Sequence, residues 1–470
     1  MTRTPRRVMW FRRDLRLTDL PALAEAADDG AEVVPLFVAD PRLIDPSVRS
    51  RYLARSLSAL DQQLGGALLV RWGDPRQVVP AVAAEAGATS VHISADFAPY
   101  GRQRDEAVAR ALTADGRTLV PLGSPYAIAP GRVTKSDGTP YRVYTPFYRA
   151  WSAHGWRDPA GNSGDGVRWR ALPGDKAASV AARVEAAAGP EPLDGLPAAG
   201  ELAALARWRD FRTRGLADYN ENRNRPDLSG TSGLSAHLRF GEIHPRTLLA
   251  ELDDSNGAEA YRREIAFREF YADVLWHHPH SARASLDSRY DTAMPHDTGP
   301  HADAAFEAWC AGRTGYPFVD AGMRQLLAEG WIHNRVRMVV ASFLVKDLHL
   351  PWWLGARWFM ARLRDGDLAS NAAGWQWTAG CGTDASPYHR IFNPTSQGQK
   401  FDPDGDYLRR YLPELRDLPG RAAHEPWLHP LLAPDYPERI VDHAVERLGA
   451  LDRLRIMKVA AASGGRPVRS

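Results

Sequence analysis

The sequence predicts an α/β domain built on a doubly wound parallel sheet, then a long connector, then an all-α domain. Three observations predict this order. Short apolar runs alternate with helical stretches up to about residue 122, a segment rich in Gly, Ala and Pro spans about 158–200, and apolar residues recur every three and four positions from about residue 202. Strands that alternate with helices form parallel sheets with helices on both faces. We expect domains at residues 1–130, 131–205 and 206–470.

The composition excludes several classes of protein. Of the 470 residues, 44% are hydrophobic and 25% are charged, which is ordinary for a folded soluble chain and excludes disorder as a whole-chain state. Since no long apolar run and no signal-peptide core are present, we expect a soluble, cytoplasmic protein without membrane contact. Cys310 and Cys381 are too few for a disulfide framework, and no Cys/His cluster has zinc spacing, so we expect no metal. The formal net charge of +2 excludes a uniformly basic surface.

Five apolar runs are the candidate strands of the first domain. In order they read RVMWF, EVVPLFV, ALLVRW, TSVHIS and GRTLVPL. Ligands of such sheets bind beyond the carboxyl ends of the strands. The turn after the first run reads RRDLRLTD and lacks a G-x-G-x-x-G pattern, so we expect the main cofactor in the second domain.

Helical periodicity marks the second domain. The segments that show it read ELAALARWRDFRTRGLADY, PRTLLAELDD, AYRREIAFREFYADVLW, VDAGMRQLLAEG and NRVRMVVASFLVKDL. The loop GTSGLSAHLRFG, residues 230–241, precedes a helix, where hydroxyl and backbone N–H groups suit a pyrophosphate. Helix capping by a Ser or Thr side chain is the alternative explanation. Farther on, Asn334, Arg337 and Met338 share one helical face, with Arg335 turned about 100° away.

Acid, amide and indole groups are dense near the end of the chain. The stretch RDGDLASNAAGWQW contains Asp365, Asp367, Asn371, Trp375 and Trp377 within a Gly-rich context. The 15 tryptophans of the chain equal its 15 tyrosines, although tryptophan is normally the rarer residue. Packing of large aromatic side chains in a helical core would explain any single tryptophan. The clustering of tryptophans with acid and amide side chains indicates a functional site.

Long motifs extend through almost the whole chain. They read VMWFRRDLRLTDLPAL, GTSGLSAHLRFGEIHPR, REFYADVL, GRTGYPFVDAGMRQL, WIHNRVRMVVASFLVKDLHLPWW, DGDLASNAAGWQW and RIFNPTSQGQKFDPDGDYLRRYLPEL. With these motifs the chain resembles the photolyase and cryptochrome flavoprotein family, and within it the class I cyclobutane pyrimidine dimer DNA photolyases. The resemblance implies a light-dependent DNA repair enzyme, a deoxyribodipyrimidine photo-lyase, which splits pyrimidine dimers by electron transfer from photoexcited reduced FAD. It also implies a monomer whose partner is DNA containing pyrimidine dimers, with no obligate protein partner.

The resemblance assigns a set of FAD-binding residues to the helical domain. These are Tyr219, Thr231, Ser232, Gly233, Leu234, Ser235, Tyr261, Glu264, Arg268, Asn334, Arg337, Asp365, Gly366, Asp367 and Asn371. Tyr219 and residues 231–235 would hold the phosphates, and Asn371 would face flavin N5. An anionic reduced flavin needs nearby cations and amide donors. Arg337, opposed by Asp365, would supply a cation held in an oriented charge pair.

A second set is assigned to DNA and to the lesion. Its members are Arg223, Phe267, Arg335, Met338, Trp377, Arg390, Gln397 and Lys400. Trp377 beside Met338 would receive the flipped lesion. Glu264 would be catalytic, either by a hydrogen bond to the pyrimidine carbonyl edge when protonated or by stabilising the dimer radical anion. The arginines and the lysine would contact phosphates without reading sequence. Where the family commonly has tryptophan, this chain has Phe267, which predicts a modest loss of lesion affinity.

The lesion class follows from the helix that carries Asn334 and Met338. Members of the family acting on the (6-4) photoproduct resemble one another in having histidines on this face, where the present chain has an amide and a thioether. Acid-base handling of a transferred hydroxyl or amine therefore has no obvious agent. The resemblance favours the cyclobutane lesion.

The family's electron-transfer chain usually has three tryptophans, of which this sequence matches two. Trp375 and Trp352 match the inner and middle members and are assigned as catalytic, but no tryptophan lies about ten residues before Trp309. Trp309, Trp353 and Trp358 remain open as the surface terminus.

A second, light-harvesting chromophore is expected in the first domain. The segment SADFAPYGRQRD resembles the P-Y-G-R form of family members that bind 8-hydroxydeazaflavin, and it lacks the Asn-Glu pair that folate binders have at the positions of Tyr100 and Gly101. The resemblance therefore favours 8-hydroxydeazaflavin over methenyltetrahydrofolate. Arg12, Phe37 and Asp96 are candidate contacts, and ordinary loop residues at strand ends are the alternative.

Three other functions are alternatives to this one. A cryptochrome-type blue-light photoreceptor would use the same FAD site, but the short segment after the last family helix favours repair. A photolyase for another lesion is the second alternative. An electron-transfer flavoprotein would explain only the N-terminal sheet.

Overall fold

The protein, described here by a computed structural model over residues 4–188, 195–384 and 387–462, divides into two units. The N-terminal unit comprises residues 1–141, 145–217 and 232–277, and the C-terminal unit comprises residues 142–144, 218–231 and 278–470. The two units interleave along the chain, and the domain bounds expected from the sequence stay a prediction.

Six strands form the sheet of the N-terminal unit. They are β1 (Arg6–Phe11), β2 (Glu32–Ala39), β3 (Leu69–Trp72), β4 (Ser90–Ile93), β5 (Thr118–Pro121) and β6 (Arg168–Trp169). The order is β3-β2-β1-β4-β5, every pairing is parallel, and β6 pairs with the start of β2. The five strands predicted from apolar runs are confirmed.

Both faces of this sheet are covered, as its sequence pattern predicts. Successive side chains of a strand point to opposite faces, so Met9 and Phe11 pack in one apolar cluster while Val8 and Trp10 pack in another. These clusters are the two halves of a doubly wound α/β core, which confirms the predicted fold class.

The helices before residue 280 surround the sheet or follow it in the chain. In order they are α1 (Pro21–Ala27), α2 (Val48–Gln63), α3 (Pro75–Ala86), α4 (Pro99–Ala114), α5 (Tyr144–His154), α6 (Ala177–Ala188), α7 (Glu201–Arg214), α8 (Tyr219–Asn222), α9 (Ser235–Phe240), α10 (Pro245–Ala250) and α11 (Asn256–His277). The segment rich in Gly, Ala and Pro contains one of these helices, α6. Helix α7 ends at Arg214, earlier than its periodicity indicated, because Gly215 follows it.

The later helices form the C-terminal unit. They are α12 (Arg289–Thr292), α13 (Pro300–Ala311), α14 (Pro317–Glu329), α15 (Asn334–Lys346), α16 (Trp352–Arg362), α17 (Leu368–Ala379), α18 (Pro394–Phe401), α19 (Asp406–Tyr411) and α20 (His443–Ala462). Their apolar core includes Phe318, Val340, Leu344 and Trp375. A Cβ at Gly355 would lie 2.1 Å from the Trp375 ring, so this glycine lets α16 approach α17 closely.

Membrane-spanning helices and metal-binding clusters are both absent from the described part of the chain. No described helix is both long and apolar enough to cross a bilayer. Within the same residues, no group of three or more His, Cys, Asp or Glu side chains is arranged to hold a metal ion.

Candidate functional site

Helix α15 begins at the residue predicted for it, and its cap places the site's two arginines. The buried side chain of His333 accepts a hydrogen bond from the Arg335 backbone N–H at 3.2 Å. Burial, with Arg337 and Arg335 nearby, lowers the pKa of His333 to about 4. The imidazole is therefore neutral at pH 7 and keeps the lone pair that the cap requires.

Arg337 and Asp365 form the charge pair expected from the sequence. Nη2 of Arg337 donates to the two carboxylate oxygens of Asp365 at 3.0 and 3.3 Å, and Nε donates to the Ile332 carbonyl at 2.8 Å. The Asp365 side chain is 4% exposed, whereas that of Arg337 is 28% exposed. The guanidinium is thus oriented by the protein while part of it stays accessible to a ligand.

The turn that carries Asp365 is fastened to the end of α14. The Arg364 backbone N–H donates to the Gly330 carbonyl at 2.8 Å, and its Nη1 donates to the Glu329 carbonyl at 3.0 Å. Arg364 has no role in the sequence-based assignment. Its function is to hold its neighbour, Asp365, in place.

Helix α17 carries Asn371, and Asp367 starts it. The Asp367 carboxylate accepts from the Ser370 N–H at 3.0 Å and so caps this helix. The Asn371 Nδ2 donates to the Ala356 carbonyl at 2.9 Å, which fixes the plane of the carboxamide. Gly366 is buried, and Asn334 is exposed at the first turn of α15.

In the N-terminal unit, the hydroxyl-rich loop is held over an arginine. Gly233 has a φ of +62°, and a Cβ there would lie 2.2 Å from Nη2 of Arg207. Nε of Arg207 donates to the Ser232 carbonyl at 2.6 Å. Leu234 is the N-cap of α9 and makes no side-chain cap hydrogen bond, so capping by Ser or Thr is not the explanation of this loop. Ser235 is exposed at the start of that helix.

Helix α11 contributes a tyrosine that reaches the same loop. The Tyr261 hydroxyl donates to the Ser232 Oγ at 3.0 Å, and its ring lies 5.3 Å from Trp208 and 5.4 Å from Phe211. Burial raises the pKa of Tyr261, so the hydroxyl stays protonated and remains a donor. Trp208 and Phe211 had no place in the sequence-based site.

The other predicted residues of α11 differ in what they contact. Arg268 donates to the carbonyls of Pro125 at 3.1 Å and Leu238 at 3.2 Å, so its guanidinium is largely used in holding backbone. Phe267 lies 5.9 Å from the Tyr271 ring and is half-buried, as is Glu264.

A basic cluster in the C-terminal unit centres on one phenyl ring. Arg335 lies 4.5 Å from the Phe401 ring and Lys400 lies 5.2 Å from it. Arg335 also donates to the Asn224 Oδ1 at 2.7 and 3.2 Å. Burial and the charge of Arg223 lower the pKa of Arg335. The sequence predicted the three basic residues but not Asn224, which accepts from Arg335, or Phe401, whose ring lies near Arg335 and Lys400.

The remaining predicted residues of this unit lie on several elements. Trp377 on α17 and Met338 on α15 are half-buried, and the two helices pack on each other. Arg390 is exposed and Gln397 is half-buried. In the segment before α9, Tyr219 is buried and Thr231 is half-buried.

The tryptophans require one correction. Trp375 and Trp352 are each 3% exposed, as expected for inner members of a chain. Trp309, a candidate surface terminus, is 0% exposed and lies 6.1 Å from the Trp375 ring, with its N–H on the Val340 carbonyl. The hypothesis that Trp309 ends the chain at the surface is therefore wrong, because it belongs to the core.

Two surface candidates are left. The half-buried Trp353 lies 6.2 Å from the Trp352 ring, and Trp358 lies under the Arg362 guanidinium at 3.1 Å. Of these two, Trp353 has the direct contact with the assigned middle member.

The proposed antenna contacts in the N-terminal unit are all engaged within the protein. Arg12 forms two hydrogen bonds of 2.6 and 2.8 Å to Asp105, and Asp96 pairs with Arg104 at 3.2 Å. Although burial by itself would raise the pKa of Asp96, neighbouring arginines, Arg104 first among them, lower it. Phe37 is buried in the apolar core at the end of β2.

The residues present fit FAD. A loop over Arg207, with a glycine in the left-handed region at φ +62°, is suited to an anionic pyrophosphate. The Arg337–Asp365 pair and the fixed carboxamide of Asn371 suit a polar ring system that carries negative charge.

Comparison with known proteins decides the family. The family model described as DNA photolyase matches residues 7–162, and the one described as FAD binding domain of DNA photolyase matches residues 261–456. A protein of Synechococcus sp. named deoxyribodipyrimidine photo-lyase is 38% identical over 93% of both chains. The chain belongs to the DNA photolyase family.

Solved structures agree with this membership. The bacterial class III photolyase of Agrobacterium tumefaciens superposes with a TM-score of 0.90 at 36% identity, covering 98% of this chain and 99% of that one. The cryptochrome of Synechocystis sp. superposes with a TM-score of 0.82 at 28% identity, covering 97% of this photolyase-family chain and 100% of that protein. Assignment to class I stays a prediction.

Proposed function

We propose that this protein is a light-dependent DNA repair enzyme that splits cyclobutane pyrimidine dimers. The observation that carries the proposal is the relative named deoxyribodipyrimidine photo-lyase, alike over 93% of both chains. The chain also has the FAD binding domain of DNA photolyase over residues 261–456. Bound in reduced form and excited by light, FAD would supply the electron that opens the cyclobutane ring, and the ring opening returns it.

We propose that residues of α15, α17 and the turn between α16 and α17 bind the flavin ring. Arg337 would compensate its negative charge, because its position is fixed by Asp365 and part of its guanidinium is exposed. Asn371 would orient its carboxamide toward N5, since the hydrogen bond to Ala356 fixes that side chain. An amide neither repels the anionic reduced flavin nor protonates it, so the flavin would stay reduced.

For the phosphates we propose the loop at residues 230–235. Arg207 would add a cation that the sequence did not suggest, since it already supports the Ser232 carbonyl at 2.6 Å. Tyr261 would fix the Ser232 hydroxyl through their 3.0 Å hydrogen bond. Thr231 and Tyr219 complete this proposed set.

We propose that Trp377 and Met338 receive the flipped dimer. Both are half-buried on helices that pack together, so each combines a fixed position with accessible apolar surface. Glu264 and Phe267 are assigned to the same lesion by resemblance. The thioether at 338 and the exposed amide at 334 provide no acid or base of the kind that a (6-4) photoproduct requires, which favours the cyclobutane dimer.

For the DNA backbone we propose the basic cluster around Phe401 together with Arg390. Arg335 and Lys400 place two positive charges near the Phe401 ring, and the charge of Arg223 acts on Arg335, although the formal charge of the whole chain is only +2. Phosphate contacts of this kind hold DNA irrespective of its sequence. A repair enzyme that recognises damage needs this property.

The test is light-driven repair by the FAD-containing protein, chemically reduced. An oligonucleotide with one thymine cyclobutane dimer is followed for regained thymine absorbance, with blue light and in the dark. We expect restoration only in the light, and none for a matched oligonucleotide with a (6-4) photoproduct. No restoration from protein whose bound FAD is reduced would contradict the proposal and favour a photoreceptor. Restoration of the (6-4) strand alone would identify another lesion class.

A separate variant tests the assignment of Asn371. We expect Asn371→Asp to reduce the accumulation of reduced flavin under light, because a carboxylate beside N5 repels the anion or protonates it. The flavin absorption spectrum during illumination measures this. Asn393→Asp, which makes the same change at the N-cap of α18, is the matched control. Normal accumulation in Asn371→Asp would contradict the N5 contact.

For the second chromophore we propose 8-hydroxydeazaflavin in preference to methenyltetrahydrofolate. A Cβ at Gly101 would lie 2.1 Å from the Asp96 Cγ, so the glutamate of the folate-binding pattern has no room at this position. Reconstitution of the purified protein with each chromophore tests this proposal, and binding of the folate alone would contradict it.

We further propose that the enzyme acts as a monomer.

A further inference from the structure

The indole N–H of Trp352 is the first donor in a short chain of hydrogen bonds. Nε1 of Trp352 donates to the Ser285 Oγ at 2.9 Å, and that hydroxyl donates to the Asp291 Oδ1 at 2.6 Å. Trp352 and Ser285 are buried, whereas Asp291 is exposed. The chain therefore connects a buried indole to a carboxylate at the surface.

Several backbone contacts hold this chain in place. The second oxygen of Asp291 accepts from the Ser285 N–H at 2.8 Å, so the carboxylate holds both polar groups of the serine. The segment after Ser285 is attached to α17, because the Leu286 N–H donates to the Gln376 Oε1 at 2.9 Å and the Asp287 N–H donates to the Cys381 carbonyl at 2.9 Å. These contacts keep the serine between the indole and the carboxylate.

The other titratable groups near the serine are poorer proton acceptors. Burial raises the pKa of Cys381 to about 12, so its thiol is protonated at neutral pH and cannot take another proton. Burial lowers the pKa of His296, and this ring makes a 5.6 Å edge contact with Trp353, not with Trp352. Asp287 is engaged by Arg289 through hydrogen bonds of 2.6 to 3.1 Å.

We propose that Ser285 and Asp291 take the proton of Trp352 when this tryptophan is oxidised, which makes Trp352 a terminus of the electron-transfer chain. The inference rests on the proposed function, in which Trp375 and Trp352 pass an electron to photoexcited oxidised FAD. Removing one electron from an indole makes its N–H strongly acidic. A positioned hydroxyl and carboxylate then act as a general base.

The step balances in atoms and charge. Trp352 loses one electron toward Trp375 and the proton on Nε1, which passes to the Ser285 Oγ. The Ser285 hydroxyl proton passes at the same time to the Asp291 Oδ1. The N–H bond of the indole breaks, the serine O–H bond breaks and forms again, and a new O–H bond forms on the carboxylate. Trp352 ends as a neutral radical and Asp291 as a neutral acid.

This relay would compensate for the missing outer tryptophan. A radical cation on a buried indole readily takes its lost electron back, whereas loss of the proton to a surface carboxylate slows this recombination. Trp353 lies 6.2 Å from Trp352 and offers the competing route, onward transfer of the oxidation to a second indole. With the relay, the radical would remain on Trp352.

The experiment is flash photolysis of the FAD-containing protein with oxidised flavin, in H2O and D2O. The cationic and neutral tryptophan radicals have different absorption spectra, so the rate of deprotonation is read directly. Ser285→Ala removes the bridging hydroxyl, and Asp291→Asn keeps its shape but not its basicity. Asp287→Asn, which alters a neighbouring carboxylate paired with Arg289, is the matched control.

We expect the wild type and Asp287→Asn to form the neutral radical with a solvent isotope effect. In Asp291→Asn and Ser285→Ala we expect its formation to be about 100-fold slower, at the low end for loss of a positioned base. Equal rates in all four proteins would overturn the relay. So would an unchanged radical spectrum and rate in Trp352→Phe, which would place the radical elsewhere. Repair by chemically reduced protein does not use this relay, so its failure would count against the proposed function and not against the relay.

Discussion

Two arginine–carboxylate pairs, one in each unit, have similar donor–acceptor distances and different surroundings. In the N-terminal unit Arg246 donates to both oxygens of Asp19 at 3.0 Å, and the two side chains are 5% and 0% exposed. In the C-terminal unit Arg337 donates to Asp365 at 3.0 and 3.3 Å, but its side chain is 28% exposed. The donor–acceptor distances do not distinguish the two pairs, but the exposed fraction of the arginine side chain does.

The surroundings of the carboxylates explain the difference. Asp19 also accepts from the Arg157 guanidinium at 3.0 Å and from the Ala160 N–H at 2.9 Å, so its acceptor capacity is used inside the fold. Because the Arg246 side chain is only 5% exposed, burial lowers its pKa. Removing one partner of a pair that is buried on all sides leaves an uncompensated charge inside the fold. A pair with one accessible edge, as at Arg337, can also meet a ligand.

The largest effect is expected from Arg246→Ala. Removing the cation leaves a fully buried carboxylate without its main partner, which should lower the free energy of unfolding by about 3–5 kcal/mol. Chemical denaturation followed by circular dichroism measures this. Arg157→Ala removes a partner of the same Asp19 that is 45% exposed, and should cost about 1 kcal/mol or less. Equal losses in the two variants would remove the distinction that exposure makes.

Arg337→Gln should affect the cofactor more than the fold. A hydrogen bond to a charged group contributes about 1.5–3 kcal/mol, so we expect FAD affinity to fall by roughly 10- to 100-fold. The ratio of flavin to protein absorbance after dialysis measures the loss. Arg335→Gln, a change two residues away in the basic cluster, should retain its flavin. Full retention of FAD by Arg337→Gln would show that this pair is structural, like the one at Arg246.

Trp377→Ala tests whether half-exposed side chains of α17 serve a ligand. Stacking on an aromatic ring contributes about 1–3 kcal/mol per base, so preference for damaged over undamaged DNA should fall correspondingly. Competition binding with the two oligonucleotides measures the preference. Arg390→Ala should weaken binding of both equally, because phosphate contacts do not distinguish them. Unchanged discrimination in Trp377→Ala would remove it from the lesion site.

The smallest effect is expected from Phe267→Trp. A larger ring with an N–H should tighten binding of the dimer by about 0.5–1 kcal/mol if this position stacks on the lesion. Titration of the reduced protein with damaged oligonucleotide in the dark measures the change. Phe267→Leu, which removes the aromatic face, should shift affinity in the opposite direction. A shift of the same sign in both variants would contradict stacking at this position.

Much of the fold could be predicted because its signals are local. The five main strands are continuous apolar runs, and α14 and α15 were recognised from residues that recur at three and four positions. The site was predicted differently, from long motifs that resemble a family. That route supplied Arg337, Asp365 and Asn371. It did not supply Arg207 or Phe401, which lie outside those assignments and act by holding other residues.

The sequence by itself determined the parallel sheet, the helical half and the family, because periodicity and motifs are properties of neighbouring residues. Only the tertiary structure decided which tryptophans are buried and what each indole contacts. Trp309 is in the core beside Trp375, and Trp352 donates to Ser285, 67 residues away in the chain. Tryptophan suits both a core and a surface, since it is large, apolar and has one N–H. Its role therefore depends on partners that chain folding brings together, which spacing along the sequence does not encode.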